Sequence, residues 1–260
     1  GKTQTVVRLP KEAEMRDAFC SIRQMGGRAT RVYVFSHGDG DAYHIGPGGT
    51  LNEQWFQAFD QMLATASSLG VRLIVPFINT AYLEVWGHSG YYADWTGEGR
   101  NAQSEFFYST VQRDLFKSVL TQILTRNNTI TGKTYADEEA ILGWELGNEL
   151  NDPKFAGALF PPPAEWTTDI ARHIKVLDPN HLIIDGGQFS AAVLDIPEVD
   201  VVGSTYYGKL ATTVEYDIKT LVAWNAATNA SAQKVFIIKE FGLVEPKAGL
   251  PSQDDVWIAA

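Results

Sequence analysis

Two acidic residues stand where apolar runs stop. Ile141-Leu142-Gly143-Trp144-Glu145-Leu146-Gly147-Asn148-Glu149-Leu150 reads as a short buried strand that finishes in an Asn-Glu pair. Val235-Phe236-Ile237-Ile238-Lys239-Glu240-Phe241-Gly242 is a second apolar run of strand length that finishes in a carboxylate. A carboxylate at the end of an otherwise apolar strand is costly unless it is paired or used. Two of them on separate strands, Glu149 and Glu240, point to a pair of acids converging on one site. Glu145 shares a strand face with Glu149 by period two, and pairing inside the fold is the role expected of it.

The elements that must carry these acids alternate along the chain. Strands are expected at 29–36, 71–79, 141–149, 182–185, 199–207 and 235–240, with a possible seventh near Val6. Helix-period apolar spacing marks residues 11–25, a stretch opened by a Thr50/Glu53 capping box and ended by Gly70, and residues 104–125, 164–177 and 212–228. Strand–helix alternation with apolar strands implies a parallel sheet covered by helices. A doubly wound sheet needs a Gly-rich phosphate turn, and Gly46-Pro47-Gly48-Gly49 lacks that spacing. Polar residues end nearly every strand: Arg31, Asn79, Glu149, Tyr207 and Glu240. That suits the mouth of a (β/α)8 TIM barrel, with residues 1–260 as one α/β domain of six or seven strands.

Composition narrows the partners. The 260 residues carry a net charge of −10, which argues against a nucleic-acid backbone. No apolar run reaches the roughly 18 residues that span a bilayer. Cys20 reads as a small buried apolar residue, and no Cys/His cluster has zinc-site spacing, so neither metal nor cofactor is expected. Asp39 and Asp41 read as a solvated turn rather than a calcium loop. Two sequons, at Asn127 and Asn229, permit glycosylation and lean towards secretion. The chain has seven Trp and ten Tyr, many of them in Gly-rich polar stretches. Rings placed so either cover the ends of the core or stack on sugar faces. The long loop at 80–103 carries Trp86 and Trp95, the candidate stacking walls.

Trp144-Glu145-Leu146-Gly147-Asn148-Glu149 and Ile238-Lys239-Glu240-Phe241-Gly242 resemble the acid/base and nucleophile motifs of clan A glycoside hydrolases, and most closely family 5 with its fungal mannanase-like members. Gly26-Gly27-Arg28-Ala29-Thr30-Arg31, Gly70-Val71-Arg72-Leu73-Ile74-Val75-Pro76 and Leu177-Asp178-Pro179-Asn180-His181 agree with it. The resemblance implies a retaining mechanism on a polysaccharide such as β-1,4-mannan. Glu149 would be the acid/base and Glu240 the nucleophile. Asn148 would hold the sugar 2-hydroxyl, Arg31 would keep Glu240 ionised, Tyr207 would hydrogen-bond it, and Asn79 would line the substrate site. The family's His-x-Tyr is here Thr205-Tyr206-Tyr207, and its first and eighth strands have no clear counterpart. An open barrel of this kind invites self-association through its edges. Two alternatives follow: a catalytically weakened carbohydrate-binding barrel, and a β-glucanase of the same family.

Overall fold

Strands that alternate with amphipathic helices pack as a parallel sheet covered by its crossover helices. In a computed structural model, residues 9–35, 44–79, 103–150, 162–207 and 211–242 are described. They form β1 (Ala29–Arg31), β2 (Arg72–Pro76), β3 (Ile141–Glu145), β4 (Leu182–Ile184), β5 (Val201–Tyr207) and β6 (Val235–Gly242). The helices are α1 (Glu12–Gln24), α2 (Glu53–Leu69), α3 (Gln103–Tyr108), α4 (Thr110–Thr125), α5 (Ala164–Leu177) and α6 (Ala211–Ala227). The six strands pair in sequence order, and every pairing is parallel.

The sheet is curled. Laid flat, six strands would hold β1 and β6 apart by five spacings of about 4.8 Å, roughly 24 Å. Instead Arg31 of β1 and Glu240 of β6 meet at 2.5 Å. Only a barrel-like closure lets the two outermost described strands share an ion pair. This is the (β/α)8 barrel architecture, of which the described residues supply six strands.

Alternation along β3 shows how the two faces divide. Trp144 points outward into the helix layer and stacks on Phe77 with ring centres 5.0 Å apart. Its neighbour Glu145 points inward to Arg31. The outer layer is a continuous apolar core in which Phe59 and Leu63 of α2, Phe116 and Leu120 of α4 and Trp166 and Ile170 of α5 are all buried. Burying aromatic and branched side chains contributes about 1.5–3 kcal/mol each. Gly70 ends α2 with φ +63°, a left-handed turn that suits glycine.

Several sequence expectations change. β3 stops at Glu145; beyond it Leu146 N–H still donates to Ile184 O, Asn148 makes a single parallel bridge to Asn79, and Glu149 follows in a bend. β1 keeps only three residues. The α2 cap is Asn52, not Thr50: the Thr50 carbonyl accepts from Gly46 N–H, and Glu53 turns to Arg126 instead. The helix expected at 104–125 breaks at Ser109, which caps α4 through Gln112 N–H, and Val111 lies exposed. On α6, Leu221 is buried while Ile218 and Val222 face outward. The possible strand near Val6, the Asp39–Asp41 turn, and Trp86 and Trp95 lie outside the described residues.

Asp178, just past α5, ties the helix layer to β3. Its carboxylate accepts from Trp144 Nε1 at 2.6 Å and pairs with His181 Nδ1 at 2.7 Å. Burial opposes its charge, but His181 and Trp144 outweigh burial and hold it below the usual aspartate range. A depressed carboxylate adds stability above its unfolded pKa and loses it as pH falls through the folded one. Asp178→Ala takes the acceptor from three buried donors, Trp144 Nε1, His181 Nδ1 and His181 N–H, and should cost about 2–4 kcal/mol. Thermal melts at neutral pH should show a Tm lower by about 5–15 °C. A Tm within a degree of the parent would contradict this anchoring role.

Candidate active site

Strand C-termini gather on one end of the barrel, so the residues that end them become neighbours. Arg31 is the hub. Its Nε donates to Glu145 Oε2 at 2.5 Å. Its Nη1 donates to Glu240 Oε1 and to Tyr33 Oη, each at 2.5 Å. Its Nη2 donates to Asn148 Oδ1 at 2.9 Å. A planar fork of fixed donors is what allows one side chain to join four groups. Burial disfavours the cation, yet Glu145 and Glu240 raise its pKa above the ordinary arginine value.

Glu240 is surrounded by donors. Arg31 and Tyr33 both donate to Oε1, and Tyr207 donates to Oε2 at 2.8 Å. Burial alone would raise the carboxyl pKa; the two tyrosines and the guanidinium outweigh it and lower the value below the usual range. The phenols pay the converse effect. Burial and the neighbouring carboxylate push Tyr207 up to about 12 and raise Tyr33 as well, so both remain donors at neutral pH.

Glu149 is held differently. It has φ +53°, and it is the non-glycine residue with positive φ among those described. Its turn is fixed on both sides: Asn148 N–H donates to Ile78 O at 2.8 Å, and Leu150 N–H to Gly186 O at 3.1 Å. Gly147 and Gly186 make that turn possible, since a Cβ on Gly186 would lie 2.5 Å from Gly147 N. The Glu149 side chain is 8% exposed and accepts from Thr205 Oγ1 at 2.8 Å. Thr205 is the register partner of Glu240 across β5 and β6. Glu149 and Glu240 therefore flank the same residue from two sides.

A third carboxylate lies beneath. Glu145 is fully buried, paired with Arg31 and, at 3.4 Å, with Lys239 Nζ. Lys239 is the residue that the β5–β6 register skips, so the bulge turns its side chain inward. There it also donates to the carbonyls of Asp185 and Gly187. Burial raises the pKa of Asp185, with Lys239 opposing the rise.

Thr30, Arg31, Tyr33, Asn79, Asn148, Lys239 and Glu240 line one open cleft of about 520 Å³. Of the residues singled out in the sequence, Arg31, Asn79, Asn148 and Glu240 thus share a wall. Tyr207 joins them through Glu240, and Glu149 through Thr205. Asn148 Nδ2 donates to Asn79 Oδ1 at 3.2 Å, which links the segments that follow β3 and β2. Tyr33, Lys239 and Gln188 were not foreseen. Period two from Arg31 points to Tyr33, and adjacency to Glu240 points to Lys239; nothing in the sequence marks Gln188. Among the described residues no cluster of His, Cys, Asp and Glu could hold a metal ion. What the arrangement can do is two-carboxyl chemistry: one carboxylate held ionised at the cleft wall, a second held buried close by.

Comparison with known proteins is consistent across sequence and fold. A family profile described as "GH family 5 beta-mannosidase-like" matches residues 31–200. Mannan endo-1,4-beta-mannosidase 7 of Arabidopsis thaliana is 34% identical over 179 residues, covering 68% of this chain and 40% of that protein. Mannan endo-1,4-beta-mannosidase 1 of Oryza sativa subsp. japonica is 32% identical over 163 residues, covering 61% of this chain and 36% of that protein. The chain thus spans about two fifths of the length of these relatives. The endo-beta-1,4-mannanase structure from Thermotoga petrophila superposes with a TM-score of 0.74 at 20% identity, covering 96% of this chain and 62% of that one. The Rhizomucor miehei endo-1,4-beta-mannanase superposes with a TM-score of 0.74 at 21% identity, covering 92% and 75%. With the strand-end carboxylates, the curled parallel sheet and the matched profile taken together, the chain belongs to glycoside hydrolase family 5.

Proposed function

We propose that this chain carries the site of a retaining endo-acting hydrolase of β-1,4-linked mannan. The observation that carries the reading is Glu240, a carboxylate kept ionised in a cleft by Arg31, Tyr33 and Tyr207, with Glu149 buried on the other side of Thr205. The names of the sequence relatives support mannan as substrate.

In this reading Glu149 gives its proton to the glycosidic oxygen while a Glu240 oxygen attacks the anomeric carbon. The glycosyl–Glu240 ester then breaks as Glu149 takes a proton from water. Retention requires the two carboxyls about 5–5.5 Å apart. Among the described residues Asn148 uses one of its two Nδ2 donors on Asn79, and its second serves the sugar 2-hydroxyl. Arg31 acts through Glu240 and Asn148: four of its five N–H donors go to Glu145, Tyr33, Glu240 and Asn148. Trp86 and Trp95 are the proposed stacking walls. Exposed Asn127 and Asn229, each opening a sequon, support a secreted protein; a glycosidase-sensitive mass shift of the expressed protein tests it. Exposed Ile238 and Phe241 on β6 support self-association, and a monomeric mass at high concentration would remove that idea.

A second reading, carbohydrate binding with weakened turnover, rests on Thr205 standing where the family pattern has histidine. Incubation with β-1,4-mannan and β-glucan oligosaccharides separates the two. The proposal expects mannan cleavage with retained anomeric configuration by NMR, lost by a factor of about 10³ or more in both Glu149→Gln and Glu240→Gln. Binding without turnover supports the second reading, and preferred glucan cleavage moves the substrate to β-glucan.

Two further outcomes follow from the same geometry. Tyr33→Phe removes a donor that favours the Glu240 carboxylate, so the pKa of that carboxylate rises. Attack needs the ionised form, so the acidic limb of the kcat/KM profile moves to higher pH; an unmoved limb contradicts the assignment. Glu149→Gly relieves a left-handed residue at a cost of about 1–2 kcal/mol in the native chain. It should abolish turnover while leaving Tm equal or higher, as calorimetry would show; a large fall in Tm would mean that Glu149 is structural.

A further inference from the structure

Thr205 does not act alone on Glu149. Gln188, in the turn after β4, grips it. The Gln188 amide oxygen accepts from Thr205 N–H at 3.1 Å and from the Ser204 hydroxyl. A backbone N–H can only donate, so the oxygen end of the amide is fixed and Nε2 faces the other way. Nε2 donates to Thr205 Oγ1 at 2.5 Å. With its oxygen taken by that donor, the threonine hydroxyl directs its own proton to Glu149 Oε1 at 2.8 Å. The chain of donors has one direction: Gln188 amide, Thr205 hydroxyl, Glu149 carboxyl. Its origin is tied at two points to β5, the strand whose Thr205 is in register with Glu240.

We propose that Gln188 is a positioning residue for the acid/base: through Thr205 it fixes Glu149 Oε1, and with it the orientation of the carboxyl that delivers the proton. This rests on the assignment of Glu149 as acid/base given above. It also explains how this chain dispenses with the ring that the family pattern places at position 205. Two polar side chains in series stand in for one imidazole, and the Gln188 oxygen is anchored by the Thr205 backbone N–H. The Glu149 backbone is held at φ +53°, and the clamp holds its carboxyl.

The test compares two leaving groups on the full chain. Gln188→Leu keeps the side-chain volume and removes both ends of the amide. It should lower kcat on a β-1,4-mannan oligosaccharide by about 10–100-fold with KM little changed, because a misplaced general acid loses most of its contribution. On the same sugar carrying a dinitrophenolate leaving group, which departs without a proton, the loss in the glycosylation step should stay within about threefold. Thr205→Val should repeat this split, and Thr205→Ser, which keeps the hydroxyl, should restore most of the loss. Equal losses on both substrates, no loss on either, or failure of Thr205→Ser to rescue would overturn the proposal. If the parent chain turns over neither substrate, the crystal structure of Gln188→Leu decides instead: the Glu149 carboxyl leaves Thr205 if the clamp is real and stays if it is not. Glu149→Gln in the same series separates failure of the clamp from failure of the acid/base assignment, since that variant must lose the oligosaccharide activity whatever Gln188 does.

Discussion

One guanidinium holds this structure's chemistry together. Arg31 stands on β1, yet its partners come from β3 and β6, and from the turn after β3. Without a cation there, the Glu145 and Glu240 carboxylates would lose the counter-charge they share. With it, Glu240 stays ionised and pointed into the cleft, and Asn148 is fixed by its oxygen. The same ion pair spans the two outermost described strands, so closure of the sheet and preparation of the site are one event. Lys239 adds a second buried cation against Glu145, which shows how much positive charge the packed acids demand.

The two glutamates are prepared by opposite means. Glu240 lies on a strand just past its bulge, among strong donors, and electrostatics set its state. Glu149 lies outside any strand, in a left-handed conformation, on a turn that exists only because Gly147 and Gly186 let two backbones touch. Strain of this kind persists only where neighbours over-determine it, and here Ile78, Gly186 and Thr205 do so. The division fits a pair of acids with different tasks, one permanently charged and one that must carry and release a proton.

The sequence disclosed the layers better than the connections. All six strands were readable from apolar runs, because buried parallel strands are continuous in hydrophobicity. Their ends were not: β3 reads through to Glu149 but stops at Glu145, since hydrophobicity does not distinguish a strand from the buried turn that continues it. The Thr50/Glu53 spacing suggested a cap that Asn52 provides, and helix periodicity ran unbroken through Ser109, where the chain bends. At the site, Arg31, Asn79, Asn148 and Glu240 were visible as polar residues closing apolar runs. Tyr33 was hidden inside a strand-like segment, where an aromatic residue is unremarkable. Gln188 was hidden because its meaning lies in a contact with β5, which no spacing along the chain encodes. Trp86 and Trp95 lie outside the described residues.

The central claim is that Glu240, and no other carboxylate, is the ionised group that meets the anomeric carbon. Trapping with a fluorinated β-mannosyl fluoride, in which the glycosyl–enzyme ester forms faster than it hydrolyses, followed by peptide mapping, tests it directly. The account predicts one glycosyl adduct on the peptide containing Glu240, absent when that residue is changed to glutamine. An adduct on Glu149, Glu145 or Asp185, or turnover that proceeds with no ester formed, would contradict it.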